Sequence, residues 1–348
     1  MTSFRADNAD YEAWLRGQCA VVERDLQLKH RKMRKDAFSF LRATYFRWSR
    51  RIVEVCPELT GAPEVLAVGD SHLENFGAWR DSEGRWVWGV NDFDEASVMP
   101  YALDLVRLAA SVRLARSPVG NRQAAKAILD GYAEGLARPR PTLLEEGQPE
   151  LSAFVACGDQ ERQEFWAELQ ALAVVVPPPP VRRCIKNSLP AAGPIRFAAR
   201  VAGCGSLGRP RYAGLAEWRG GPVAREAKAL VPSAWDWAHG RPSSSRLMEA
   251  ATGPYRAPDP FLSVGDGFVV RRMAPDSRKI ELGRSAGGGL TTGLLKAMGL
   301  DLGAIHAADK GRLRAVRADL EGRPPDWLSQ AAKAAAQAVE ADRREWRG

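Results

Sequence analysis

Residues 69–77 have the sequence GDSHLENFG, and residues 91–96, which follow one further apolar run, have the sequence NDFDEA. Together these stretches place Asp70, Asn75 and Asp92 next to turns. Magnesium in nucleotide enzymes takes oxygen ligands from one or two protein groups and from the phosphates. A further aspartate can accept the proton of an attacking hydroxyl group. The pattern therefore predicts a site that handles metal-bound phosphate.

Short apolar segments precede both motifs. The run at 65–68 predicts a buried strand that leads into the first motif, and the run at 85–90 predicts a strand that opens onto the second. A tight turn is expected at 81–84, so these two strands are predicted to form a hairpin. Helical periodicity is found in the surrounding segments, at 8–55, 103–114, 121–138, 150–175, 290–308 and 327–346.

The composition restricts the class of protein. Of the 348 residues, 45% are apolar and 26% are charged, which is typical of a soluble globular protein. No apolar run reaches the roughly 18 residues of a membrane span, and the N-terminus resembles no signal peptide, so we expect a cytoplasmic protein without a membrane partner. The five cysteines form no CxxC pair, which argues against a disulfide framework or a zinc site. The net charge of +8 is dispersed and not interleaved with aromatic residues, so nucleic acid is not an expected partner.

A second group of candidate residues follows a four-proline run at 177–180, which is predicted to be an extended linker. Residues 196–231 are predicted to be rich in strands, and they contain a glycine loop, GCGSLG, at 203–208. Glycines let the backbone approach a ligand closely, and successive N–H groups can surround phosphate oxygens. Two-glycine turns are common, so the loop by itself is a weak indication of a phosphate site.

Lys228 lies in an apolar strand context twenty residues beyond the glycine loop. A strand lysine beneath such a loop can contact the α- and β-phosphates of a nucleotide; an ordinary solvated lysine is the alternative. A phosphate-binding lysine needs a carboxylate that holds it in position. Glu249 is the predicted partner, and Glu226 is the alternative.

At these positions the chain resembles the protein-kinase-like superfamily, especially the aminoglycoside and small-molecule phosphotransferases. Their catalytic loop reads G-D-x-H-x-x-N and their metal loop reads I-D-F, against GDSHLEN and NDF here. The chain is still more similar to the family known as domain of unknown function 2252. The matching segments are GDSHLENFG, NDFDEA, LDLVRLAAS and VAGCGSLG with REAKA.

The order of the motifs differs from that of kinases, because the glycine loop follows the catalytic loop. The resemblance therefore implies a circularly permuted, two-lobed, kinase-like α+β fold with a small antiparallel β lobe and a larger helical lobe. The implied divisions are a helical lobe with the catalytic and metal loops at 1–190, a nucleotide-binding β lobe at 191–283, and the hinge and returning helices at 284–348.

The resemblance also implies a role for each matching residue. Asp70 corresponds to the catalytic base, and Lys228 corresponds to the catalytic lysine that contacts the phosphates. Asp104 and His72 are expected to brace the catalytic loop, whereas Arg42 is equally suited to phosphate binding and to a structural ion pair. The implied metal ligands are Asn75, Asp92 and Asp94, and a solvated or capping role is an equal alternative for Asp94. The implied cofactor-binding residues are Gly203, Gly205, Ser206, Gly208, Lys228 and Glu249.

These roles imply a phosphotransferase that uses ATP and magnesium and acts on an unidentified hydroxyl group of a small molecule or protein. Two alternatives stay open: a catalytically silent, kinase-like regulator that binds nucleotide, and an adenylyl transferase. A serine esterase is not supported, because Asp301 and His306 near the end of the sequence do not have the Asp-x-x-His spacing of that class. A two-metal phosphoesterase would need more than the four histidines of this chain. The oligomeric state cannot be read from the sequence.

Overall fold

The computed structural model describes residues 2–146, 149–190, 193–241, 244–282 and 290–348. The helices are α1 Phe4–Gln18, α2 Glu23–Lys35, α3 Ala37–Ala43, α4 Tyr45–Val55, α5 Tyr101–Leu114, α6 Asn121–Ala137, α7 Pro149–Val155, α8 Asp159–Ala171, α9 Pro179–Ser188, α10 Ala234–Ala238, α11 Leu247–Ala251, α12 Thr292–His306, α13 Lys310–Gly322 and α14 Trp327–Arg347. The strands are β1 Glu64–Ala67, β2 Phe76–Arg80, β3 Trp86–Val90, β4 Ser97–Pro100, β5 Thr142–Leu143, β6 Arg196–Ala199, β7 Arg211–Trp218, β8 Gly221–Ala229, β9 Ser263–Gly265 and β10 Phe268–Met273. The predicted α+β class is confirmed.

The strands of the described ranges form antiparallel sheets of different sizes. The largest has five strands in the order β6-β7-β8-β10-β9. A three-stranded sheet has the order β2-β3-β5, and β1 pairs with β4 alone. The glycine loop predicted from the sequence lies in the connection between β6 and β7, and Lys228 lies on β8.

The predicted hairpin around the turn at 81–84 is present, but the prediction of its strands was wrong. The turn joins β3 to β2, a strand that was not predicted, and β1 pairs instead with β4. The sequence FGAWR of β2 has no polar alternation, because four of its five residues are buried, so it gave no period-two signal. Each acidic motif therefore connects the β1–β4 pair with the three-stranded sheet.

The main core lies where α5 is enclosed by other elements. Thirteen of the fourteen residues of α5 are buried, as expected for a helix that is apolar on all sides. Its neighbours include α14, α6 and α3. No helix among the described residues is long and apolar enough to cross a membrane.

The four-proline run at 177–180 does not form a free linker. Pro179 begins α9, because proline suits the first turn of a helix, where its missing N–H would have no partner. Val181 and Ile185 of this helix pack against Ala227 of the five-stranded sheet. The segment is therefore docked on the sheet.

The predicted boundaries between the three divisions stay predictions. Residues 191–192 and 283–289, which adjoin these boundaries, lie outside the described residues, and so does the first part of the predicted hinge. The predicted helices near 290–308 and 327–346 are present as α12 and α14. Between them lies α13, within a region that was predicted to be helical but without a separate helix at these residues.

Helices α6 and α12 pack closely because glycines face the opposing backbone at their contact. A Cβ atom at Gly135 would overlap the carbonyl oxygen of Leu300 on α12. We expect Gly135→Ala to destabilise the protein, because an overpacking cost of about 1–3 kcal/mol outweighs a gain in helix propensity of about 1 kcal/mol. Chemical unfolding would measure the change in free energy.

The matched control for this substitution is Gly17→Ala in α1, where a Cβ atom would have no neighbour within 4 Å. We expect this control to leave the stability unchanged or to raise it slightly. Equal effects of the two substitutions on the free energy of unfolding would contradict the proposed role of close helix packing.

Candidate functional site

The two acidic motifs lie side by side because strand pairing fixes both ends of each one. Ala67 of β1 is paired with Ser97 of β4, and Phe76 of β2 is paired with Val90 of β3. The chain must therefore cross between the two sheets twice in adjacent positions, once with each motif. The side-chain amide of Asn75 joins the two crossings, since its Nδ2 donates to the carbonyl oxygens of Asp70 at 3.1 Å and of Asp92 at 3.0 Å.

Asp104 braces the first motif from α5, which is the role predicted for it. Its carboxylate accepts hydrogen bonds from the backbone N–H groups of Val68 at 2.7 Å and Gly69 at 2.9 Å. His306 Nε2 lies 3.1 Å from the same carboxylate. Gly69 has a φ of +82°, and a Cβ atom there would overlap the carbonyl oxygen of Glu95. Glycine is therefore required at this turn.

Asp70 is held by a buried arginine that the sequence analysis did not identify. Arg107 Nε donates to Asp70 Oδ1 at 2.7 Å, and the Arg107 side chain is fully buried (0% exposed). The Asp70 side chain is 18% exposed and lines a cleft. Burial raises the pKa of Asp70, although the Arg107 charge acts in the opposite direction. The available signal was an arginine three residues after Asp104 in the otherwise largely apolar sequence LDLVRLAAS.

Lys228 of β8 meets the second motif. Its Nζ lies 3.3 Å from Asp92 Oδ1 and 2.6 Å from Asp94 Oδ2. Lys279 Nζ lies 3.1 Å from Asp92 Oδ2. Burial by itself raises the pKa of Asp92, but the two ammonium groups outweigh this effect and hold the pKa well below its usual range. Burial and the neighbouring Asp92 raise the pKa of Asp94.

The structure does not bring Glu249 to Lys228. Glu249 lies on α11 with a side chain that is 57% exposed, and it pairs at 3.4 Å with Arg246, the residue that precedes this helix. The Lys228 side chain is buried, so a carboxylate on an outer helix face does not reach it. The alternative partner, Glu226, pairs with three arginines instead, namely Arg200, Arg211 and Arg271.

The glycine loop packs against the first motif. A Cβ atom at Gly205 would lie 2.8 Å from the Arg42 carbonyl oxygen and 3.6 Å from Asp70 Oδ2, so the loop backbone lies directly beside Asp70. The Ser206 hydroxyl accepts a hydrogen bond from Arg211 Nη2 at 2.7 Å. Gly208 lies further along the loop, against Leu26 of α2.

A cleft of about 950 Å³ joins most of these residues. This volume suits a ligand of nucleotide size, since ligand pockets measure about 300–1,000 Å³. The predicted site residues that line it are Asp70, Asn75, Asp92, Asp94, Gly203, Gly205 and Ser206. Those that do not line it are Gly208, Lys228 and Glu249. Lys228 is buried behind Asp92 and Asp94.

The cleft also contains cationic side chains for which the sequence showed no motif. Arg200 precedes the glycine loop, Arg271 lies on β10, and Lys279 follows that strand. Lys279 reaches the site because its segment pairs with β2, through a hydrogen bond from Ile280 N–H to the Phe76 carbonyl oxygen at 2.8 Å. Such contacts depend on a strand pairing that joins distant segments of the chain.

The residues around Asp92 fit a magnesium ion that is bound together with phosphate. Because Asn75 Nδ2 donates to two carbonyls, the opposite amide oxygen, Oδ1, is left available as a ligand. Asp94 Oδ1 is buried and has no hydrogen-bond partner among the described residues. These are the oxygen donors that magnesium prefers. The described residues contain no group of three or more His, Cys, Asp or Glu that could hold a metal ion, so the phosphates would have to complete its coordination.

Comparison with known proteins supports part of the resemblance. No curated protein and no solved structure matches the chain. One family model matches residues 21–161 of the chain. This segment contains both acidic motifs and α5, with Asp104 and Arg107, and it ends before the glycine loop. The matched family is described as "Uncharacterized protein conserved in bacteria (DUF2252)".

Proposed function

We propose that the protein is an ATP- and magnesium-dependent phosphotransferase with a circularly permuted, kinase-like fold. The observation that carries this proposal is the contact between Lys228 and Asp92, which are separated by 136 positions in the chain. The glycine loop and Lys228 come after the catalytic and metal loops in the sequence. The resemblance predicts the contact only if the circularly permuted chain packs these two parts against each other. Asp70 and Asn75 line the same cleft as Asp92.

We assign the role of general base to Asp70. Arg107 holds one carboxylate oxygen, and the residue lines the cleft with its side chain partly exposed. Asp70 would accept the proton of the acceptor hydroxyl as the hydroxyl oxygen forms a bond to the γ-phosphorus of ATP. The bond between that phosphorus and the bridging oxygen breaks, and ADP leaves with the electron pair.

The residues that would bind the phosphates differ in part from those that the resemblance implies. Lys228 is already engaged by Asp92 and Asp94, so its charge serves mainly to position these carboxylates. Arg200, Arg271 and Lys279 also have carboxylate partners, but unlike Lys228 they line the open cleft, where they supply the positive charge that a triphosphate requires. Asn75 and Asp92, together with Asp94, would hold magnesium, which offsets phosphate charge when bound.

A silent, nucleotide-binding regulator is the second candidate function. The observation that favours it is the close packing of Gly205 beside Asp70, because an acceptor hydroxyl must reach the same carboxylate. Under this alternative the cleft binds ATP without transfer. Under the phosphotransferase proposal the loop moves away from Asp70 when the substrates bind.

A thermal unfolding experiment tests nucleotide binding. We expect ATP to raise the unfolding temperature of the wild-type protein when magnesium is present, and to raise it much less with a chelator. A ligand that is present at a hundred times its dissociation constant stabilises the folded state by about 2.7 kcal/mol. AMP is the matched control, since it has no β- or γ-phosphate. The absence of any ATP-dependent shift would contradict both candidate functions.

Labelled ATP then separates the remaining alternatives. We would incubate the protein with a cell extract and ATP that carries the label on either the γ- or the α-phosphate. Label transfer from the γ-position supports a phosphotransferase, and transfer from the α-position supports adenylyl transfer. ATP binding without transfer from either position would favour the silent regulator.

A further inference from the structure

Lys29 is a buried lysine that has no counter-ion among the residues the structure describes. It lies on α2, and its side chain is only 3% exposed. It forms no ion pair or hydrogen bond with any residue that the structure describes, and its Nζ lies 5.6 Å from the centre of the Tyr11 ring and 5.7 Å from that of Phe46. A buried charge without a partner destabilises the folded state. This arrangement is therefore unusual for a purely structural lysine.

The two carboxylates whose charges act on Lys29, Glu12 and Glu95, are engaged with other groups. Glu12 contacts His30 and accepts a hydrogen bond from Asn8. Glu95 accepts a hydrogen bond from Arg209 at 2.7 Å. The ring faces of Tyr11 and Phe46 attract the ammonium group only weakly compared with an anion.

Lys29 belongs to a cluster of cations that surrounds the glycine loop. Lys32, one turn further along α2, has its Nζ 3.3 Å from the Gly203 carbonyl oxygen. Burial raises the pKa of the Cys204 thiol in this loop, and the charges of Arg42, Lys32 and Lys29 all oppose that rise. The loop also contacts the segment of Arg42, since a Cβ atom at Gly205 would lie 2.8 Å from the Arg42 carbonyl oxygen. Asp70 acts on the same thiol with the opposite sign.

The cluster faces the cleft on the side of the general base. Lys29, Lys32 and Arg42 all line the cleft. Arg42 is the only one of the three that has a carboxylate partner, Glu74, within the described residues. The cluster is distinct from the residues Arg200, Arg271 and Lys279, to which we assign the triphosphate. An anion bound beside Asp70 would supply the missing counter-charge for Lys29.

We propose that Lys29, Lys32 and Arg42 form an anion pocket that binds the phosphate group of a phosphorylated acceptor and directs its hydroxyl group towards Asp70. Phosphate suits the cluster because its several oxygens can accept charge-assisted hydrogen bonds from more than one cation. The existence of the pocket follows from the cation cluster, whereas its assignment to the acceptor rests on the proposed phosphotransferase function.

The test uses inorganic phosphate as the probe and compares wild type with Lys29→Met. Methionine retains the length and apolar contacts of the lysine stem, so the variant is expected to fold, with an unfolding temperature at least equal to that of wild type in phosphate-free buffer. We expect phosphate to stabilise wild type, and calorimetry to show binding to Lys29→Met that is weaker by about tenfold or more. Sodium chloride at equal ionic strength controls for screening.

Two further variants complete the comparison. Lys333→Met replaces an exposed lysine on α14 and is expected to bind phosphate like wild type. Lys32→Gln provides a second substitution within the pocket and is expected to weaken phosphate binding without removing the buried lysine. The pocket would be refuted if wild type binds no phosphate, or if Lys29→Met binds it as tightly as wild type does.

A further measurement with ATP distinguishes the proposed anion pocket from the proposed phosphotransferase function. We expect magnesium and ATP to stabilise Lys29→Met as much as wild type, because the triphosphate is assigned to other cations. If Lys29→Met loses the ATP-dependent shift, the pocket belongs to the nucleotide and its assignment to the acceptor is wrong. If ATP has no effect on wild type while the phosphate results hold, the proposed function fails and the anion pocket stands.

Discussion

The Asp70→Asn variant is expected to transfer phosphate about 10²–10⁴-fold more slowly than wild type, because this is the usual contribution of a general base. Asparagine retains an oxygen that can accept the hydrogen bond from Arg107, but it cannot accept the proton of the acceptor hydroxyl. Binding of ATP with magnesium should survive, because Asn75, Asp92 and the cleft arginines are unchanged. Label transfer measures the rate, and calorimetry measures the binding of ATP.

The matched control is Asp10→Asn on α1, which removes an exposed carboxylate that pairs with Arg50. Its transfer rate should equal that of wild type. A normal rate of transfer in Asp70→Asn would exclude Asp70 as the base. Loss of ATP binding together with activity would instead show that Asp70 acts in nucleotide binding. Chemical unfolding of both variants separates these outcomes from a loss of stability.

Arg209→Leu is expected to lower the free energy of unfolding by about 3–5 kcal/mol, the usual effect of removing one partner of a buried ion pair. Arg209 is buried and contacts Asp94 at 3.2 Å and Glu95 at 2.7 Å. Without it, Asp94 retains Lys228, but no cation remains paired with Glu95 among the described residues. Arg209 follows the glycine loop, so this ion pair also connects the β6–β7 segment to the second acidic motif. Urea-induced unfolding measures the loss.

The contribution of the charge can be separated from that of packing. Combining Arg209→Leu with Glu95→Gln removes the carboxylate charge that the single substitution leaves buried. This double variant should recover part of the lost stability. Arg24→Leu at an exposed position of α2 is the matched control and should change the stability by less than about 0.5 kcal/mol. A similarly small effect of Arg209→Leu would show that the buried ion pair contributes little.

Features that depend on local sequence were predicted well. Periodic apolar residues identified α5, α6, α12 and α14, because a helix is formed by neighbours three and four positions apart. The sequence also indicated the glycine-loop connection and the strand that carries Lys228. The bracing role of Asp104 was expected from the resemblance to the phosphotransferases, and the structure shows its carboxylate at the turn.

Predictions that required knowledge of distant contacts were less successful. The hairpin was assigned to the wrong strand, since β2 has little polar alternation and its pairing with β3 competes with other apolar segments. Glu249 was selected as the lysine partner from its place on a helix, but that face of α11 is directed to solvent. The proline run was predicted to be a spacer because the apolar contacts of α9 with the sheet cannot be seen in the local sequence.

The sequence by itself determined the chemistry that is available to this protein: carboxylates and an amide at two turns, a glycine loop and a strand lysine. Only the tertiary structure decided how these groups are combined. It placed Lys228 between Asp92 and Asp94, put the buried Arg107 beside Asp70, and left Lys29 without a counter-ion in the described part of the chain. The physical reason is that residue type and turn propensity are local properties. The partner of a buried charge, by contrast, is set by packing between segments that can be more than a hundred residues apart, as Lys228 and Asp92 are.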